Sequence, residues 1–161
     1  MTEPRVGRTA FALGFAGLLP QVAAVGLELL GRKGRADLAW MPVVAGYGLA
    51  LLYAGLILSF LGGMWWGFAM RRRQGQANLV AVAVLPSLFA LVCVVAVIGA
   101  LPGLPSPWPG IGLGSAVLLT LLVDRRLVTS GEAPANWMRL RVPLSLGLGG
   151  LTILAGLVLA F

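Results

Sequence analysis

From Tyr53 to Met70 the chain reads Tyr-Ala-Gly-Leu-Ile-Leu-Ser-Phe-Leu-Gly-Gly-Met-Trp-Trp-Gly-Phe-Ala-Met without a charge, and Arg71, Arg72 and Arg73 follow at once. An uncharged apolar segment stopped by three cations reads as a membrane-spanning helix that leaves the bilayer on the cytoplasmic side. The other residues agree. Of 161 residues, 59% are hydrophobic and only 11% charged, whereas a soluble domain carries about 25% charged residues. Most of the surface must therefore face lipid or other parts of the chain. The net charge of +7 sits in short blocks between apolar runs, so anionic lipid headgroups are the expected counter-charge and no nucleic acid is expected as a partner.

Two residue counts narrow the chemistry. Cys93 is alone, inside the apolar run Leu88 to Ala100, which excludes an internal disulfide and reads as a small core residue. Histidine is absent, which removes the usual ligand of haem, copper and di-iron centres and the usual general base near neutral pH. No metal and no cofactor are expected.

The first apolar run, about Thr9 to Leu30, follows Arg5 and Arg8. It exceeds the about 7 to 15 residues of a signal-peptide core, so it reads as a retained helix. A second run covers 40–70 with Pro42 in its first turn, and a third covers 77–101. The segment Leu101 to Gly110 holds four prolines and no charge, and reads as a stiff connector near the headgroups anchored by Trp108. A short fourth run, 107–123, borrows from that connector. The polar stretch Asp124 to Val142 then leads to Pro143 as the opening residue of a fifth helix, 143–161.

The expectation is an all-α integral membrane protein forming a single transmembrane domain. It is one bundle of five transmembrane helices with spans at 9–30, 40–70, 77–101, 107–123 and 143–161. With the N-terminus cytoplasmic and the C-terminus periplasmic, nine of the twelve Lys and Arg side chains fall inside, and only Arg32, Lys33 and Arg35 fall outside. Asp37 partly offsets that outer cluster and is placed to cap the second helix.

Small residues recur within the spans. Gly48, Gly55 and Gly62 repeat along the second helix, and Gly63 with Gly67, like Gly110 with Gly114, makes a G-x-x-x-G. Such spacing lets helix backbones approach closely, which makes the second helix the expected packing centre. Intramembrane polar residues are few. Gln21 follows Pro20 and is placed to bond a carbonyl that Pro20 frees, or a neighbouring helix; Glu28 is spaced to pair with Arg32, the alternative being a proton- or cation-binding role. Ser59, Ser87, Thr120, Ser145 and Thr152 are expected to bond carbonyls of their own helices. Trp40, Trp65, Trp66, Trp108 and Trp137 all fall at predicted edges, as an interfacial aromatic belt requires. The stretch around Trp137, Met138, Arg139, Leu140 and Arg141 suits either the headgroup layer or a docking partner.

Several of these segments carry a resemblance. Ala12-Leu-Gly-Phe-Ala-Gly-Leu-Leu-Pro20, Tyr53 with Ile57-Leu-Ser-Phe-Leu-Gly-Gly63 and Trp66-Gly67, Leu85-Pro-Ser87, and Pro134 through Trp137 to Leu140-Arg-Val-Pro-Leu144 follow one another in order. The chain resembles an uncharacterised membrane-protein family, domain of unknown function 3429, whose eukaryotic relatives include the mitochondrial transmembrane protein 69. The resemblance implies a small multi-pass protein of a bacterial inner membrane or its mitochondrial descendant, without an established activity. Family members often have phenylalanine where Gln21 stands and tyrosine near Met138 or Arg139. The matching positions Ser59, Gly62, Gly63, Trp66, Gly67 and Arg141 are therefore the candidate lipid or partner site.

Three functions are weighed. Glycine-lined helices and the lack of an acid–base constellation favour a non-enzymatic accessory or assembly subunit packed against membrane lipids and other membrane proteins, or against further copies of itself. The alternative is a small carrier or lipid-binding protein with a site near Gln21 and Gly62 to Gly67. An enzyme is not expected, since Ser59 has no His or Lys at matching depth to activate it. Trp66 and Arg141 either meet at the cytoplasmic face or stand as unrelated belt residues on opposite sides of the bundle.

Overall fold

The computed structural model describes residues 6–33, 40–99 and 106–160. Its regular elements are helices: α1 (Arg8–Ala16), α2 (Leu19–Lys33), α3 (Trp40–Met70), α4 (Gln76–Gly99), α5 (Trp108–Thr129) and α6 (Trp137–Ala160). The runs Arg8–Lys33, Met41–Met70, Gln76–Val97 and Trp137–Ala160 are each long and apolar enough to cross a membrane, so the chain is a multi-pass membrane protein. The cap expected from Asp37, the Arg5 and Arg35 cations, and residues 101–105 of the proline-rich connector lie outside the described residues.

Three helix boundaries depart from the pattern of apolar runs. The first run is two helices, because Pro20 has no N–H and the Gln21 N–H bonds the Leu18 carbonyl instead of the one at Gly17. The Gly17 carbonyl thus freed accepts the Tyr53 hydroxyl from α3. Gln21, predicted for that task or for a neighbouring helix, reaches across to α6. Next, α5 continues from Val123 through Thr129, carrying Asp124, Arg125 and Arg126 as helical residues. Charge marks the end of an apolar run but does not end the helix, since Asp124 turns inward while both arginines stay exposed. Finally, α6 opens at Trp137, and Pro143 lies inside it. The carbonyl that Pro143 leaves without an N–H belongs to Arg139, an exposed residue of the first turn.

The bundle is held by backbone contact at a few glycines: the predicted Gly110/Gly114 pair and Gly62 are among them, and Gly46 and Gly149 join them. Gly114 on α5 and Gly149 on α6 face each other. A Cβ on Gly149 would lie 2.8 Å from the Gly114 carbonyl oxygen, and one on Gly114 would lie 2.5 Å from the Gly149 carbonyl oxygen. Gly46 brings α3 equally close to the Ala24 carbonyl of α2, and Gly62 seats α3 on the Ala83 carbonyl of α4. Of the predicted stripe only Gly62 works this way. Gly48, Gly63 and Gly67 face open space, and Gly55 makes an ordinary contact with Ala90. A seven-residue repeat drifts only about 20° per heptad around a helix of 3.6 residues per turn, so Gly55 and Gly62 both lie on the α4 side, while no described residue packs against Gly48.

The core follows from these contacts. Tyr47, Leu51, Ala54 and Leu58 of α3 pack with Leu113 and Val117 of α5 and Leu148 and Ala155 of α6. A second cluster, Trp65, Ala69, Leu79, Ala83, Leu127 and Ala133, closes the end of the bundle where α3 and α5 finish and α4 begins.

Candidate functional site

The charged centre of the bundle is built by the α5–α6 hairpin. On α5, Thr120 and Asp124 are one turn apart and share the inward face; on α6, Arg141 begins the buried file that continues through Ser145, Leu148 and Thr152. The Arg141 Nε donates to Asp124 Oδ2 at 2.6 Å, and its Nη2 donates to Thr120 Oγ1 at 3.2 Å. Thr120 passes its own proton to the Val117 carbonyl at 2.6 Å, as expected for a hydroxyl inside a helix. The second Asp124 oxygen accepts the Trp65 indole N–H from α3 at 3.0 Å. Asp124 is wholly buried and Arg141 is 6% exposed, so three helices are fastened by one pair of charges shielded from water.

Outside the spans, a second ion pair ties two loops together at the same end. Arg72, just past α3, donates from Nε and Nη2 to the two Glu132 oxygens at 2.6 and 2.7 Å, a bidentate fork. Hydrogen bonds from Arg72, aided by Ser130, hold the Glu132 carboxyl below its ordinary range, and Glu132 raises Arg72 in turn. Arg71, Arg72, Arg73 and Glu132 line a polar cavity of about 490 Å³ there. Asn136 completes the fastening by accepting the Val6 N–H at 2.8 Å and donating to the Val6 carbonyl at 3.2 Å.

Deeper polar groups are tied more sparsely. The Gln21 Nε2 donates to Thr152 Oγ1 at 2.9 Å, and Thr152 donates to the Leu148 carbonyl. The Tyr47 hydroxyl donates to the Ser106 carbonyl and accepts the Gly110 N–H, anchoring the start of α5. Glu28 makes no ion pair with Arg32: it is enclosed between α2 and α3, while Arg32 is exposed.

The six residues singled out from the sequence do not gather. Gly62 is buried against α4, and Ser59 is half-buried beside it in the chain; Gly63, Trp66 and Gly67 face outward. Arg141 alone sits in the charged centre. The meeting of Trp66 with Arg141 is replaced by one through Trp65: neighbouring positions on a helix point about 100° apart, so Trp65 takes the inward place while Trp66 is 43% exposed. Trp66 and Trp108 are exposed, whereas Trp65 is buried in the bundle. Sequence reasoning missed Asp124 and Trp65 as site residues. The available signal was Thr120 and Asp124 at i, i+4, facing an arginine placed a short loop away on the next helix.

A bundle of apolar helices closed by a buried acid–base pair defines a polytopic helical membrane protein. A family model described as protein of unknown function (DUF3429) matches residues 6–158, and the chain belongs to that family. No curated protein and no solved structure matches the chain.

Proposed function

We propose that this protein is a non-enzymatic accessory or assembly subunit of a bacterial inner membrane, and that its α4–α5 groove receives a transmembrane helix of another membrane protein. In this arrangement α5 makes the fourth of five crossings, the N-terminus is cytoplasmic, and the arginine-rich end with its Arg72–Glu132 clasp faces the cytoplasm. The observation that carries the proposal is an apolar groove of about 700 Å³ lined by α3, α4 and α5, with no α6 residue in its walls. Its floor on α5 is Gly112, Ser115 and Ala116, small residues at helical spacing that admit another backbone. One wall carries Pro86, which has no N–H to give the Val82 carbonyl a turn earlier, so a helix bearing a hydroxyl or amide finds an acceptor there that an acyl chain would leave unused.

The polar groups inside the bundle support a structural role, because Asp124, Arg141, Trp65 and Thr120 are spent on one another. A photo-activated cross-linking residue at Leu88 or Leu119, on the two walls, tests the reading in native membranes. The expected product joins either position to a transmembrane segment of one other protein and is lost when Gly112 and Ala116 are both changed to Leu. Adducts with lipid alone favour the lipid-binding alternative, and adducts with a second copy favour a homo-oligomer; either refutes the proposal.

A further inference from the structure

Glu28 is fully buried within α2, and neither of its carboxylate oxygens has a hydrogen-bond partner among the described residues. The other buried acid, Asp124, is answered by a guanidinium and an indole. The cause of the difference lies on α3. Gly46 lets the two helices touch so closely that a Cβ there would sit 2.8 Å from Glu28 Cγ and 2.9 Å from the Glu28 backbone nitrogen. The carboxyl is therefore enclosed in the seam between α2 and α3 instead of turning along the helix to Arg32.

An ionised carboxylate in that seam is shut off from solvent and has no donor among the described residues, whereas the uncharged acid fits it. We propose that Glu28 is a proton-binding site of the membrane-embedded bundle, whose packed α2–α3 seam holds the carboxylic acid and whose deprotonation lets α2 part from α3 near Lys33. In that step the carboxyl O–H bond breaks, the proton passes to water at the Lys33 end, and the carboxylate pairs with Arg32 one turn on. The path is short, since Glu28 lies about 7.5 Å from Lys33 along the helix axis.

Among the described residues, the groups that face this site are few. Arg32 acts on it from its own helix, and Tyr47 from α3. Tyr47 is already engaged with Ser106 and Gly110. On α4, Cys93 lies near Tyr47. Segments 108–123 of α5 and 142–160 of α6 contribute no ionisable side chain.

The test uses the full chain in lipid nanodiscs, with infrared spectra and thermal unfolding followed from about pH 5 to about pH 8. A carboxylic-acid C=O band present in the wild type and missing from Glu28→Gln is expected, with wild-type stability falling as pH rises while Glu28→Gln stays level. Arg32→Gln leaves the carboxyl in place but removes the counter-charge of the released state, so its profile should move to higher pH. The proposal is overturned if Glu28→Gln keeps the band or the wild-type pH slope, or if Arg32→Gln leaves the profile unmoved. A band that responds to sodium at constant pH overturns it in favour of an alkali cation.

Discussion

Replacing Asp124 with Ala leaves the Arg141 guanidinium without a counter-charge in a site where it is nearly inaccessible to water. Stranding one member of a buried pair costs about 3 to 5 kcal/mol. The Trp65 N–H loses its acceptor in the same change, which puts Asp124→Ala toward the upper end of that range. Arg141→Met strands the carboxylate instead and should cost a similar amount, softened by the indole that still donates to it. The double variant Asp124→Leu/Arg141→Met removes both charges, and apolar replacement of a buried pair is often neutral or better, so it should return to within about 1 to 2 kcal/mol of the wild type. Reversible unfolding in mixed micelles of dodecyl maltoside and SDS, followed by circular dichroism, measures all three. Single variants that each lose under about 1 kcal/mol, or a double variant equal to the sum of the singles, would refute the claim that this pair holds the bundle.

Trp65→Phe should lose about 1 to 3 kcal/mol in the same assay by orphaning an Asp124 oxygen, whereas Trp66→Phe should change little, and equal losses would contradict the assignment of the inward place. Gly149→Ala, which drives a methyl toward the Gly114 carbonyl, should lower the melting temperature in detergent, while Gly63→Ala, facing open space, should not. Because Arg72 depresses the Glu132 carboxyl, the stabilisation from their pair is complete above its ordinary value of 4.5 and fades as pH falls below it; Glu132→Gln should remove that acid dependence from the melting curve. Cysteines at positions 74 and 106 should label from opposite sides of the membrane, and labelling of both from the periplasm would break the five-span topology.

How much of this was legible depended on whether an interaction left a trace in one dimension. The apolar runs of α3 and α4 appear in the chain almost at their structural limits, because hydrocarbon demands continuous apolar length and arginines stop it visibly. Asp124 was hidden by the same logic, since a carboxylate beside Arg125 and Arg126 looks like the start of a loop. Its meaning depends on Arg141 arriving antiparallel at the same depth, which no local window contains. Trp65 and Trp66 show a different limit: both suit the edge of a bilayer, and only the rotation of α3, set by Gly46 and Gly62 against its neighbours, turns one of them inward. For Glu28 the i, i+4 spacing to Arg32 was the obvious cue, and tertiary contact at Gly46 overrode it.

The dependence of α5 on α6 has a consequence for how the chain is made. During synthesis α5 emerges with a carboxylate and two arginines near its end, and the translocon meets this helix before its partner exists. A carboxylate within a spanning segment weighs against insertion, by a few kcal/mol at the centre and less toward the end where Asp124 lies, and that penalty falls once Arg141 reaches the same depth. If α5 crosses the bilayer as proposed, the two helices are expected to enter it as a hairpin, with α5 held back until α6 is supplied. Truncating the chain after Ser130 in a glycosylation-mapping insertion assay should leave α5 outside the membrane, and extending it past Thr152 should bring it in.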